Sequence, residues 1–319
     1  MKSEDILLSV AFFFQTGMGF LGNSFLICLF TFVFLSGSKM RSIDIIVVQL
    51  TLVNCLMLLL KGIPHTMTTL GLMNFLDEID CKIISYFYKV TRDLSLSMTC
   101  LLSGFQAITI SPTNSNWAKL KAKAPKHLIP SSLFCWTFHL LSCSYIPNGM
   151  KGPVYTSNIT ETQHNGYCSH KILSGYEAYL FTTIIFFSDA IFLGLMVSAS
   201  GYMVFLLYSH HKQIHITCLS SRTSPEIRAT KTILLLVGTF FSSNLFNCIL
   251  TMYISFRKSA PWLMYTSAFL GACFPAISPF VLIISDSQVT RYCYAIWGGK
   301  ITHFDPDDIV ISSAQDDLL

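Results

Sequence analysis

Charge is what this 319-residue chain has least of. Asp, Glu, Lys and Arg together make up 12%, about half the roughly 25% of an ordinary soluble domain. A soluble protein of this length could not clothe its surface with so few. Disorder is excluded too, because the hydrophobic set reaches 52% and Phe alone contributes 26 residues, the opposite of a disordered composition. No His-Glu-x-x-His metal motif, phosphate-binding loop or fixed-period repeat is present. The net charge of +4 lies scattered over connecting segments rather than on one face, which argues against nucleic acid as a partner. What remains is an integral membrane protein.

A helix needs about 20 mostly apolar residues to cross the hydrocarbon core. Ile6 to Leu35 contains no Asp, Glu, Lys or Arg, and six further apolar runs follow. The expected architecture is an all-α bundle of seven transmembrane helices over about 6–35, 45–73, 81–111, 128–147, 177–208, 232–256 and 261–285. Residues 286–319 form a tail, in which Val289, Tyr292, Cys293, Ile296 and Trp297 recur at helical spacing. That pattern predicts a short amphipathic helix on the membrane, with Cys293 a candidate for palmitoylation. The first run is too long for the core of a signal peptide and is expected to stay as an uncleaved anchor.

Orientation follows from Lys and Arg. Lys39, Arg41, Lys119, Lys121, Lys123, Lys126, Lys212, Arg222, Arg228 and Lys231 follow spans one, three and five. They outnumber Lys2, Lys82, Lys151, Lys171, Arg257 and Lys258 on the opposite side. The N-terminus is therefore expected outside and the C-terminus in the cytoplasm. Asn158-Ile159-Thr160, the one N-x-Ser/Thr sequon, then falls on the side where glycosylation occurs. Of eleven cysteines, seven sit inside apolar spans, where a thiol is a small packing residue. Cys218 and Cys293 would face the reducing cytoplasm. Cys81, at the outer end of span three, and Cys168, in the sequon loop, are left on the oxidising side, where a disulfide persists. Their bridge would close roughly 90 residues, about 4–5 kcal/mol on the chain-entropy model.

Several ordered motifs narrow the reading. Leu21-Gly22-Asn23 lies in span one and Lys61-Gly62-Ile63-Pro64 in span two. Thr99-Cys100-Leu101-Leu102-Ser103 leads to Phe105-Gln106-Ala107-Ile108-Thr109-Ile110-Ser111-Pro112 at the end of span three. Lys121-Ala122-Lys123-Ala124-Pro125-Lys126, Gly166-Tyr167-Cys168-Ser169, Ser224-Pro225-Glu226 with Arg228-Ala229-Thr230, Ala272-Cys273-Phe274-Pro275 and Ser278-Pro279-Phe280-Val281-Leu282 follow in order. From about Gly22 to Cys293 the chain resembles the vomeronasal type-1 receptors, a family of G-protein-coupled pheromone receptors. Bitter-taste receptors are the nearest architectural neighbours, and the run through Ile110-Ser111-Pro112 with the cysteine pair favours the vomeronasal reading.

The resemblance implies a plasma-membrane chemosensory receptor, with a small pheromone or odorant as ligand and a heterotrimeric G protein of inhibitory type as partner. It implies neither cofactor nor metal, and no enzyme activity. Thr109, Ile110 and Ser111 stand where rhodopsin-like receptors carry an acidic-Arg-aromatic triplet, and Ser278-Pro279 replaces the usual Asn-Pro. The connection Ser209 to Ser224 is shorter than the resemblance leads one to expect, and the tail is long and acidic.

Ionisable groups inside spans are functional candidates, because lipid burial is costly. Lys61, Tyr88, Lys89, Arg92 and Asp189 are therefore candidate ligand contacts. Arg92 lies roughly 16 Å below Cys81 at 1.5 Å per residue. It either meets an acceptor on a ligand or pairs with Asp189 to hold spans three and five together. Lys89 and Asp93 can pair on one helical face. Tyr88 offers an aromatic face and one hydroxyl to a mostly apolar ligand. Lys61 either lines the cavity or snorkels outward beside a kink at Gly62 and Pro64. Asn23 and Asn54 are expected to bridge helices. Lys119, Lys121, Lys123, Lys126, Arg222 and Arg228 flank the place where a G protein would insert. A seven-span transporter is the alternative from another class, but the breaks at Gly62-Pro64 and Pro275-Pro279 do not match as paired repeats. The sequence leaves the oligomeric state open.

Overall fold

The computed structural model describes residues 3–37, 40–71, 76–112, 117–151, 162–164, 168–171, 176–217, 225–256, 261–285, 289–290 and 292–293. Seven long helices account for most of them: α1 (Ser3–Leu35), α2 (Ser42–Thr69), α3 (Glu78–Ile110), α4 (Trp117–Ser142), α5 (Tyr176–Thr217), α6 (Pro225–Phe256) and α7 (Pro261–Ser285). Between α4 and α5 lie a 3-10 turn (Ile146–Gly149) and three short strands, β1 (Met150–Lys151), β2 (Thr162–His164) and β3 (Ser169–Lys171). The strands pair antiparallel in the order β1-β3-β2. Among the described residues, five helices are long and apolar enough to cross a membrane: α1, α2, α3, α5 and α7.

Two helices run further than their apolar cores. Helix α4 begins at Trp117, so the segment from Lys119 to Lys126, expected as a loop, forms its first turns. Alternating Lys and Ala are good helix formers, and hydropathy marks only the part in lipid. Helix α5 continues past Tyr208 to Thr217, which shortens the inner connection.

Of the five apolar helices, α3 is the most buried inside the bundle and α5 the least. Leu94, Met98 and Leu102 of α3 are fully buried with Leu50 of α2, Met203 of α5 and Leu236 of α6. Outward-facing Phe13, Phe14 and Phe34 on α1 and Phe186, Phe187 and Phe205 on α5 stay exposed. In a bilayer those rings meet acyl chains, so their exposure costs nothing.

Small residues let α1 approach its neighbours. A Cβ at Gly19 would lie 2.8 Å from the Ala276 Cα of α7, and one at Gly62 would run into Thr16. Such close backbone contact is how helices associate where the hydrophobic effect no longer drives them together. Polar side chains then tie the interior. Gln49 on α2 meets both Ser132, at 3.3 Å, and the Trp136 indole of α4, at 3.1 Å. Asn54 on α2 donates to the Ser278 hydroxyl of α7 and accepts from Ser95 of α3, both at 2.9 Å. Asn23 donates to the Gly19 and Pro275 carbonyls at 2.8 and 2.9 Å.

Candidate functional site

The short sheet between α4 and α5 is tethered to the head of α3. Cys81, in the first turn of α3, is bonded to Cys168 with 5.8 Å between Cα atoms, the common separation for a disulfide. Helix α3 starts at this point because Asp77 and Asp80 form a capping box, the Asp80 carboxylate accepting from the Asp77 backbone N–H. The bridge holds β3 against the head of α3, and Met150 of β1 packs on it, with Leu76 and Ile146 alongside.

Below the bridge the sequence candidates converge on α3. The Lys61 ammonium donates to the Tyr88 hydroxyl at 2.8 Å and lies 4.7 Å from that ring's centroid. Lys61 therefore turns inward across the α2–α3 contact instead of snorkelling. One residue on, Lys89 donates to Asp93 Oδ1 at 2.6 Å and reaches Asp189 Oδ2 of α5 at 3.7 Å. The ion pair to Asp189 is thus made by Lys89, whereas the sequence offered Arg92 as its partner. Both cations sit on α3 within one turn, and Lys89 also reaches Asp93 on its own face. Arg92 stays close enough for its charge to act on both Tyr88 and Asp189.

Two residues at this level escaped the sequence reading. The Cys143 thiol lies 3.6 Å from Asp93 Oδ2. His139, one turn earlier, is 1% exposed and packs edge-on to Phe138 and against Phe192 of α5, with ring centroids 5.1 and 5.7 Å away. A histidine inside an apolar span is the signal the sequence carries for it, a faint one because a histidine adds no formal charge to the run.

The inner half has its own polar contacts. The Gln106 amide of α3 donates to the Thr230 hydroxyl of α6 at 3.0 Å, and Ser111 shares a 3.1 Å hydrogen bond with Tyr202 of α5. Arg41 grips Asp44 at 2.7 Å at the head of α2, and the Tyr292 hydroxyl donates to the same carboxylate at 3.4 Å. Tyr292 also meets Phe30 of α1 edge-on, and Val289 is fully buried. The first turn of the tail is therefore docked on the bundle through two residues expected to lie on the membrane; Cys293 beside them is half-buried, and Ile296 and Trp297 lie outside the described residues. Lys119, Lys123 and Lys126 are exposed and Lys121 is half-buried. Asn158 and Arg222 lie outside the described residues, as does the side chain of Arg228. Among the described residues, no group of three His, Cys, Asp or Glu side chains could hold a metal ion.

The model of the Vomeronasal organ pheromone receptor family matches residues 6–295. The chain belongs to this family. It is 39% identical to human Vomeronasal type-1 receptor 1 over 92% of its own length and 84% of the relative's. It is 40% identical to human Vomeronasal type-1 receptor 4 over 88% and 95%. The likeness extends to fish, with 30% identity to the zebrafish Olfactory receptor class A-like protein 1 over 88% and 89%. Squid rhodopsin shares the fold, with a TM-score of 0.71 over 100% of this chain and 93% of rhodopsin at 14% identity. The chain is accordingly a multi-pass membrane protein with a seven-helix bundle, a chemosensory G-protein-coupled receptor from a family of receptors, not of enzymes.

Proposed function

We propose that the receptor sits in the plasma membrane with its N-terminus outside and binds a small pheromone or odorant in the outer half of the bundle. Lys61, Tyr88, Lys89, Arg92 and Asp189 form the polar part of that site, and apolar walls take the body of the ligand. The observation that carries this reading is the cluster of charge inside the bundle, toward the end of α3 that bears the disulfide, because ionisable groups at that depth are expensive to keep. Ligand binding shifts the bundle toward a state it prefers. The inner face, flanked by Lys119, Lys121, Lys123, Lys126, Arg222 and Arg228, then engages a heterotrimeric G protein of inhibitory type. Asn158 carries a glycan on the outer side, and Cys293 takes a palmitoyl chain beside the docked Tyr292.

Calcium imaging tests the reading in cells that display the receptor together with a promiscuous G protein, challenged with fractions of conspecific urine and gland secretion. The expected result is a response to at least one fraction. It should disappear in Cys81→Ser and shift its dose dependence in Arg92→Gln, with surface display unchanged. An unaltered dose–response in Arg92→Gln would remove Arg92 from the ligand site.

A further inference from the structure

Three helices meet at a polar junction that the ion pairs do not complete. His139 of α4 is buried to 99%, and among the described residues neither of its ring nitrogens has a hydrogen-bond partner. Asp189 of α5 uses Oδ2 on Lys89, while its Oδ1, buried as an atom, has no partner among them either. The two residues share one locus. Phe192, one turn from Asp189, packs on the His139 ring, and Cys143, one turn from His139, touches Asp93, whose other oxygen holds Lys89. The contacts thus close a ring through α3, α4 and α5. His139 and Asp189 also act on each other electrostatically.

Unpartnered buried polar atoms destabilise the empty receptor, so a ligand that satisfied one of them on each side would gain what the empty receptor loses. The chemistry of one imidazole nitrogen and the Asp189 oxygen narrows that ligand. A neutral imidazole presents one N–H donor and one acceptor nitrogen, and a carboxylate oxygen only accepts. The matching group both accepts and donates. A carbonyl cannot donate, and an ammonium cannot accept. The Lys89 and Asp189 side chains beside it keep 20% and 23% exposure, while the three unpartnered atoms are themselves covered, so a ligand reaches them by parting the α4–α5 contact.

We propose that the junction at His139 and Asp189 is a binding subsite for an uncharged hydroxyl on an otherwise apolar ligand. The inference rests on the reading of the outer half as the ligand cavity and adds the α4 wall to it. Phe138 and Phe192 flank the imidazole and give the carbon skeleton next to that hydroxyl an aromatic surface.

The test uses the full chain in lipid nanodiscs and three probes on one carbon skeleton: menthol, menthone and menthylamine. Binding is read from the rise in unfolding temperature as each is titrated. Menthol is expected to bind about tenfold more tightly than either analogue, the equivalent of one well-made hydrogen bond. His139→Phe keeps the ring packing, removes both nitrogens and should abolish that preference. Asp189→Asn should weaken the preference, and the ranking on the unaltered receptor stands whether or not either variant folds. Equal stabilisation by all three probes would overturn the subsite alone, as would a menthol preference untouched by both substitutions, which would leave the junction to ordered water. No stabilisation by any probe would count against a small-ligand cavity, and so against the functional reading as well.

Discussion

Asn23 of α1 donates its amide N–H to the backbone carbonyl of Pro275 in α7 at 2.9 Å. That carbonyl is free because residue 279, which would donate to it in a regular helix, is also a proline and has no N–H. One side chain thus repairs the gap that α7's second proline opens, and the tie holds α1 to α7 where both are buried. Asn23→Leu should cost about 1–3 kcal/mol, measured as a lower unfolding temperature of the purified receptor. In a Pro279→Ala background the same substitution should cost less, since the helix then supplies its own donor. A full, undiminished loss in that background would show that the Pro275 contact is not what Asn23 provides.

Asn54 uses both ends of its amide, one on Ser278 and one on Ser95. It is fully buried, and α2, α3 and α7 share it. Asn54→Leu strands two hydroxyls at once, whereas Ser278→Ala strands one amide donor. The first should destabilise by about 2–4 kcal/mol and the second by about 1–2. A double-mutant cycle should return strong coupling between the two positions, checked by thermal unfolding.

Lys89 is the cation that two carboxylates share, and Asp93 is only 2% exposed. Removing one partner of a buried pair leaves the other charged and unpaired, at a cost of about 3–5 kcal/mol. Lys89→Met should therefore sharply reduce surface display. Adding Asp93→Asn should restore much of it, because the amide needs no counter-charge. If Lys89→Met is displayed normally without that second change, the pair is not structural, and its role belongs to the ligand.

Much of this architecture is legible in the sequence, for a physical reason. A bilayer requires long uncharged runs, so seven of them announce seven helices, and the redox side of each thiol isolates Cys81 and Cys168. The limits are equally physical. Hydropathy marks where lipid is, not where a helix ends, so the start of α4 at Trp117 and the inner extension of α5 were hidden. Lys89 and Arg92 occupy neighbouring positions on α3, and only the placement of α5 decides which of them meets Asp189. The gap at Pro275 could be foreseen from Pro279, but its filling by Asn23 depends on how closely α1 packs on α7. His139 lay unnoticed in an apolar run until its neighbours on α3 and α5 were placed around it.

The inner ends of α3, α5 and α6 are linked by uncharged groups. Gln106 is 3% exposed and Thr230 fully buried, and their hydrogen bond crosses from α3 to α6; Ser111 and Tyr202 make the matching link to α5. On the proposed coupling, a G protein that enters between these ends would separate them, and both links would favour the closed arrangement. Gln106→Leu keeps side-chain bulk and removes the donor, which should raise basal signalling several-fold for a bias of about 1 kcal/mol. Tyr202→Phe should act in the same direction and add to it. The measurement is ligand-free G-protein activation normalised to surface display. A basal level unchanged in the double variant would show that these contacts stabilise the two states equally and that packing alone keeps the inner face shut.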